Sequence, residues 1–218
     1  MFDFLLVSKI FFEVWGYQVS FLEFFGTLTY FASVLLIARK NMLNWPVGIV
    51  SVVLYMLLFY QFQLYSDALE QVYYLGASVV GWVLWSRSRS NEQVPSGFSS
   101  QSAVLITAAS TLVAGLALGF FMVNVHEVFP ALFPLPADYP MLDAMTTVIS
   151  LVAMWLLALR RTESWVYWII VDIAGIYLYF SKGLAFLGVQ YVVLLVIALY
   201  GFWSWFRSSR TNQTFPAQ

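Results

Sequence analysis

The sequence predicts an all-α integral membrane protein, and two observations carry that prediction: its composition and the placement of its charges. Of the 218 residues, 61% are hydrophobic and only 10% are charged, whereas a soluble domain carries about 25% charged residues. So much apolar surface argues against both a water-soluble globule and a disordered chain. A spanning helix needs about 20 residues and a connection, so the chain has room for roughly seven or eight spans.

Composition also excludes several functions. The net charge of −1 offers no basic excess for nucleic acid. The chain has no cysteine and one histidine, His126, which excludes disulfide frameworks, thiolate metal sites and thiol nucleophiles. The sequence contains no glycine-rich phosphate loop and no metal-ligand cluster. We therefore expect neither an enzyme nor a bound cofactor or metal.

Apolar runs between charged and turn residues mark the spans. Seven runs emerge, at residues 22–38, 45–62, 69–86, 103–125, 141–159, 165–180 and 184–206. Residues 1–21 are too polar to span, since they include Asp3, Lys9 and Glu13, and we expect a short helix lying at the membrane interface. Residues 88–140 comprise a cytoplasmic loop, a linker helix and an outer loop that contains His126. Residues 208–218 form a polar tail, for which we expect disorder.

The basic residues orient the chain. With seven spans and an outer N-terminus, eight of the ten Lys and Arg residues fall on the cytoplasmic side and two fall outside. The positive-inside rule therefore predicts an outer N-terminus and a cytoplasmic C-terminus. An even number of spans would break this partition, so the charges also favour an odd number.

The chain contains an internal repeat with a period of 120 residues. Residues 22–87 align without a gap on residues 142–207, with 13 identities in 66 positions. Each repeat, 22–87 and 141–207, carries three spans, so a direct copy would enter the membrane inverted unless the span between them restored its orientation. The sequence therefore predicts a 3+1+3 arrangement of parallel three-helix repeats, which is typical of transporters with a site between the repeats. The alternative is a duplicated structural bundle without a transport role.

Polar groups within the second span are the first candidates for a site, because such groups are costly in lipid. Asn44 and Trp45 open this span, and Asn44 suits the N-cap position. Steps of four, three and four residues place a stripe of small and polar residues on one helix face: Asn44, Gly48, Ser51 and Tyr55. Such a stripe suits close helix packing or a wet cavity, and the sequence leaves both open.

The sixth span carries two indoles and a carboxyl group on one face. Trp165, Trp168 and Asp172 are followed at the same spacing by Gly175 and Tyr179. Asp172 lies too deep for an interface residue, and a carboxylate beside aromatic faces suits a flat organic cation. The alternatives are a structural acid that bonds neighbouring helices and, for Trp165, an anchor at the interface.

The third and seventh spans carry hydrogen-bonding groups at matching positions. Gln71 and Tyr74 follow Glu70, and Gln190 aligns with Glu70 in the repeat. Amide and carboxyl groups here can bind hydroxyls such as those of a ribose, or they can join helices.

Several motifs, in order and over nearly the whole chain, resemble the bacterial nicotinamide riboside transporter family, the Pnu-type vitamin transporters. They are Leu43-Asn44-Trp45-Pro46-x-Gly48-Ile49, Leu64-Tyr65-x-Asp67-x-x-x-Gln71, Gly81-Trp82-x-x-Trp85, Glu163-Ser164-Trp165-x-x-Trp168-x-x-x-Asp172 and Lys182-Gly183-Leu184. The resemblance implies a seven-span fold similar to that of sugar-transporting SWEET proteins, a bacterial inner-membrane location and a homotrimer. It also implies facilitated diffusion without ATP or a coupling ion, with a cytosolic kinase that traps the vitamin by phosphorylation.

The resulting hypothesis is a uniporter that takes up nicotinamide riboside for NAD biosynthesis. Its pyridine ring would stack on Trp165 or Trp168, with Asp172 near the positive charge. Thiamine, also an aromatic cation, is the alternative substrate. A membrane-embedded enzyme, a channel or proton path and a scaffold are the other classes. The expected substrate-binding residues are Asn44, Trp45, Ser51, Tyr55, Gln71, Tyr74, Trp165, Trp168, Asp172 and Gln190.

Overall fold

The computed structural model describes residues 5–14, 16–62, 65–87, 96–130, 139–181 and 185–214. Within these ranges the chain forms a short β-hairpin followed by seven α-helices. The elements are β1 (Ile10–Val14), β2 (Tyr17–Ser20), α1 (Phe21–Ala38), α2 (Asn44–Gln61), α3 (Tyr65–Ser86), α4 (Gln101–Val128), α5 (Pro140–Ala158), α6 (Ser164–Ser181) and α7 (Ala185–Thr214). The loop segments 88–95 and 131–138, the tail 215–218 and the motif positions Leu64, Lys182, Gly183 and Leu184 lie outside the described residues.

Each predicted span corresponds to one of these helices, and the all-helical membrane class is confirmed. Among the described residues, 6 helices are long and apolar enough to cross a membrane: α1, α2, α4, α5, α6 and the part of α7 at Gly188–Ser209. The helix α3 has 22 residues, but Glu70 and Gln71 near its start lower its hydropathy. The chain is thus a multi-pass membrane protein.

The prediction of a helix in the N-terminal segment is wrong. Residues 10–20 form an antiparallel hairpin in which β1 pairs with β2, because the aromatic and β-branched residues of both strands favour extended backbone. Gly16 makes the turn with a φ of 84°, which glycine adopts without a steric penalty. The hydroxyl of Tyr17 donates a hydrogen bond to Glu23 in the first turn of α1.

Three smaller predictions also need correction. Asn44 is the first residue of α2 rather than its N-cap, which is Leu43. The helix α7 continues to Thr214, so the part of the predicted disordered tail up to that residue is helical. His126 lies in the last turn of α4 rather than in a loop.

The helices belong to two compact units, Met1–Pro95 and Ser96–Gln218. In the first unit the hairpin contacts α1, α1 packs against α2, and α2 packs against α3. In the second unit α4 packs against α5, α5 against α6, and α6 against α7. Each unit is therefore built from neighbours in sequence that also contact in space.

The α1–α2 turn and the α5–α6 turn have the same hydrogen-bond pattern. Lys40 and Arg160 both adopt left-handed backbone, with φ values of 56° and 62°. The amides of Lys40 and Asn41 donate to carbonyls in the last turn of α1, and those of Arg160 and Arg161 do the same for α5. This is the Schellman C-cap, formed twice at positions 120 residues apart.

The same two tryptophan–glycine contacts recur in both units. In the first unit Trp45 lies so close to Gly81 that a Cβ there would overlap its ring, and it meets Trp85 edge to face with ring centroids 5.3 Å apart. In the second unit Trp165 lies over Gly201 and meets the α7 indole at position 205 at 5.7 Å. Glycine allows the close helix approach that the buried indole fills.

Lys40 gives the fold a testable pH dependence. Burial lowers the pKa of Lys40 to about 8, from an ordinary value of 10.5. Between pH 8 and pH 10.5, Lys40 binds more protons in the unfolded chain than in the folded one. The free energy of unfolding therefore rises with pH across this window and is lower below it. We expect the melting temperature of the parent to rise from pH 8 to pH 10 relative to that of Lys40→Gln. Parallel profiles of the two proteins would contradict this expectation.

Candidate functional site

The stripe on α2 packs against α1. Ser51 Oγ donates to the carbonyl of Gly26 at 3.2 Å, and the hydroxyl of Tyr55 lies 3.0 Å from Thr27 Oγ1. Ser51 is buried and Tyr55 is half-buried. Of the two interpretations that the sequence left open, the structure therefore supports close packing for Ser51 and Tyr55.

The backbone carbonyl of Asn44 accepts a hydrogen bond in this packing, whereas its side-chain oxygen accepts none. Ser33 Oγ donates to the Asn44 carbonyl at 3.0 Å, in the space left by the missing side chain of Gly48. The Oδ1 of Asn44 is buried and has no hydrogen-bond partner among the described residues. An unpaired buried acceptor costs about 1–3 kcal/mol, so the Asn44 side chain is an unfavourable feature of this packing.

Trp45 and Trp165 are buried in the helix packing described above. The indole Nε1 of each is buried without a partner in the described part of the chain, as is Ser164 Oγ. Each ring contacts a glycine and a second tryptophan and is at most 2% exposed, so protein covers it. Of the two indoles expected to stack on a substrate, Trp168 is the one that is only half-buried.

Asp172 lies in the middle of α6, on the face that packs against α7. Toward the C-terminal end of α6 on this face, Tyr191 covers Gly175 and its ring lies 5.1 Å from that of Tyr179. At the other end Trp165 contacts α7. Asp172 lies between these contacts and is 4% exposed, and its carboxyl group has no hydrogen bond to any residue that the structure describes.

Helix geometry separates the expected site residues by depth. At about 1.5 Å per residue, Trp168 lies roughly 6 Å from Asp172 along the axis, and Trp165 lies roughly 10 Å away. Gln190 is half-buried near the start of α7 and precedes Tyr191, which covers Gly175. Gly175 lies about one turn from Asp172, toward the end of α6. Trp168 and Gln190 thus lie about one helical turn from Asp172 on opposite sides of it along the axis, while Trp165 lies near the start of the helix.

On α3 the polar residues are partly paired. The hydroxyl of Tyr74 donates to Glu70 Oε1 at 3.0 Å, one turn apart on the same helix. Gln71 is half-buried beside them. These side chains form a hydrogen-bonding group near the start of α3.

Two contacts of these residues were missed from the sequence. Thr27 pairs with Tyr55, and Tyr191 covers Gly175. The repeat offered a signal for the first, since Thr27 aligns with Thr147. The signal for the second contact was Gly175 on the helix of Asp172 together with Tyr191 on the helix of Gln190.

Comparison with known proteins identifies the family. A family model described as nicotinamide mononucleotide transporter matches residues 20–207. The chain belongs to the nicotinamide mononucleotide transporter family. This is a family of transporters rather than of enzymes.

Relatives within the nicotinamide mononucleotide transporter family carry two kinds of name. The nicotinamide riboside transporter PnuC of Escherichia coli (strain K12) is 28% identical over 214 residues, which cover 89% of each chain. The riboflavin/roseoflavin transporter RibM of Streptomyces davaonensis is 30% identical over 174 residues, 80% of this chain and 79% of its own. A crystal structure of the vitamin B3 transporter PnuC matches with a TM-score of 0.66 and 25% identity, over 87% of this chain and 82% of that one.

Proposed function

We propose that this protein carries nicotinamide riboside across a bacterial inner membrane by facilitated diffusion. The observation that carries the proposal is Asp172, a buried acid without a hydrogen-bond partner among the described residues, at mid-span in a chain similar to PnuC over 89% of its length. A charged residue at that depth in lipid is costly unless it has a function.

The chemistry of nicotinamide riboside fits this group. Its pyridinium ring is flat and cationic, so Asp172 supplies the opposite charge and Trp168 an aromatic face. The carboxamide and the ribose hydroxyls need hydrogen-bonding groups. In the unit that holds Asp172 the candidate is Gln190; the sequence predicts Asn44, Gln71 and Tyr74 of the other unit for the same role. Trp165 positions the start of the helix that carries Trp168 and Asp172, through its packing on Gly201.

We also propose the 3+1+3 arrangement of parallel repeats, as in SWEET proteins. The repeated Schellman turns at Lys40 and Arg160 support it, as do the repeated contacts of Trp45 with Gly81 and of Trp165 with Gly201. Transport then alternates access by rocking one repeat against the other. A homotrimer and retention of the vitamin by a cytosolic kinase complete the proposal, which requires neither ATP nor an ion gradient at the transporter itself.

The proposal includes an outer N-terminus at an interfacial hairpin and a cytoplasmic C-terminus. Because the chain has no cysteine, single cysteines report topology without background. We expect Leu6→Cys to react with an impermeant maleimide in intact spheroplasts, and Arg87→Cys to react only after permeabilisation. The reverse pattern would contradict the orientation.

Riboflavin is the second candidate substrate, because RibM is 30% identical to this chain. Riboflavin is neutral, so the carboxyl group of Asp172 favours the cationic vitamins over it. Thiamine, a cation, is not separated from nicotinamide riboside by this argument.

Titration calorimetry on the purified protein tests the choice of substrate. We expect nicotinamide riboside to bind at least about tenfold more tightly than neutral riboflavin, a difference of about 1.4 kcal/mol, and thiamine serves as the cationic competitor. Tighter binding of either competitor would overturn the proposed substrate.

A further inference from the structure

Residues 96–100, which we call the 96–100 clamp, lie against the turn between α5 and α6. The amide of Gly97 donates to the carbonyl of Arg160 at 3.3 Å, and the amide of Thr162 donates to the carbonyl of Gly97 at 2.9 Å. Gly97 and Arg161 thereby form a parallel β-bridge. Part of the segment predicted as a cytoplasmic loop is thus paired with the turn that starts α6.

Side chains reinforce the clamp. The amide of Ser99 donates to Glu163 Oε1 at 3.1 Å, and Glu163 is only 7% exposed. From α7, Ser209 Oγ lies 3.1 Å from Thr162 Oγ1 and 3.2 Å from the carbonyl of Ser96. The clamp therefore joins the end of α5, the start of α6 and the far part of α7.

The corresponding turn of the first unit is built differently. The repeat aligns Met42 and Leu43 with Thr162 and Glu163, and neither apolar side chain can make the hydrogen bonds of its mate. Leu43 is 60% exposed, whereas Glu163 is 7% exposed. Two turns with the same backbone pattern thus differ in the polar residues that the clamp uses.

We propose that the 96–100 clamp stays closed throughout transport and that Glu163 and Ser209 are positioning residues for α6. The helix begins directly after Glu163, so a shift of the turn would move Trp168, about one turn in, and Asp172, about two turns in. The α1–α2 turn, which has apolar residues at the positions of Thr162 and Glu163, is then the freer of the two turns. The link to Trp168 and Asp172 rests on the proposed function.

Cross-linking tests whether the clamp stays closed. Bridged strands lie about 4.8 Å apart, within the range of Cα separations that a disulfide accepts, and the chain has no other cysteine. We expect the double variant Gly97→Cys, Arg161→Cys to take up nicotinamide riboside at the same rate, within twofold, when oxidised and when reduced. A tenfold or greater loss on oxidation that a reductant reverses would overturn the proposal.

Substitutions at Glu163 test positioning. Glu163→Leu introduces the residue of the first turn and removes the acceptor for Ser99, whereas Glu163→Gln keeps Oε1. We expect the affinity for nicotinamide riboside to fall at least fivefold in Glu163→Leu and to stay within twofold in Glu163→Gln. A folded Glu163→Leu protein that binds like the parent would overturn the positioning role.

Hydrogen exchange separates failure of the clamp from failure of the proposed function. With or without nicotinamide riboside, the amides of Gly97, Ser99 and Thr162 should exchange slowly, and those of residues 39–43 should exchange faster. Clamp amides that exchange as fast as residues 39–43 would overturn the clamp, even in a protein that transports the vitamin. If the parent does not bind nicotinamide riboside, the proposed function is wrong. The exchange rates then still decide whether the clamp stays closed.

Discussion

Replacement of Asp172 by asparagine should reduce uptake of nicotinamide riboside by about 30-fold or more. Removal of one partner from a buried charge pair costs about 2–5 kcal/mol, and each 1.4 kcal/mol is tenfold. Because this carboxyl group has no hydrogen-bond partner among the described residues, its neutral isostere should leave the melting temperature unchanged or raise it. Initial rates in proteoliposomes, with melting in detergent beside them, measure both effects.

A matched acid and a neutral substrate provide the controls for Asp172→Asn. Glu127, at the end of α4, has a side chain that is 73% exposed, so Glu127→Gln should transport like the parent. The reduced dihydro form of the riboside lacks the positive charge, and the parent's preference for the cation over it should shrink in Asp172→Asn. Full uptake of the cation by a folded Asp172→Asn protein would remove the basis of the proposed site.

Gly81→Ala should destabilise the protein by about 1–3 kcal/mol, the usual cost of overpacking a core. A Cβ at this position overlaps the Trp45 ring, which is 2% exposed and has Trp85 beside it. Gly201→Ala should behave similarly, because its Cβ would lie 2.6 Å from the Trp165 ring. Thermal melting in detergent measures the loss.

The same helix provides the control for Gly81→Ala. Among the described residues, nothing lies within 4 Å of the place that a Cβ would take at Gly76, so Gly76→Ala should be neutral or slightly stabilising, since alanine favours helix over glycine. The second change Trp45→Phe should recover part of the loss in Gly81→Ala, because the smaller ring leaves room for the methyl group. Equal melting of Gly76→Ala and Gly81→Ala would contradict the packing of Trp45 on Gly81.

The helices could be predicted from the sequence because lipid imposes long apolar runs on every span. Charged residues mark where these runs stop, as Arg39 and Arg160 do after α1 and α5. The hairpin at residues 10–20 was missed because a short aromatic segment with scattered charges fits an interfacial helix as well as a strand pair. Only the pairing of β1 with β2 distinguishes the two.

The candidate site could be predicted in part. The depth of Asp172 follows from its position in an apolar run, since the rise per residue of a helix is fixed. The packing roles of Trp45 and Trp165 could not be predicted, because a tryptophan at a given spacing looks the same whether a glycine or a ligand faces it. The 96–100 clamp was missed because it joins residues more than 60 positions apart, such as Ser99 and Glu163.

Proteoliposomes that contain only this protein test the central proposal most directly. With labelled nicotinamide riboside outside, and without ATP, kinase or an ion gradient, the internal concentration should rise to the external one and stop there. A kinase and ATP enclosed in the vesicles should then drive accumulation as phosphorylated product. No protein-dependent entry of nicotinamide riboside, or accumulation above the external concentration driven by an ion gradient alone, would contradict the proposal.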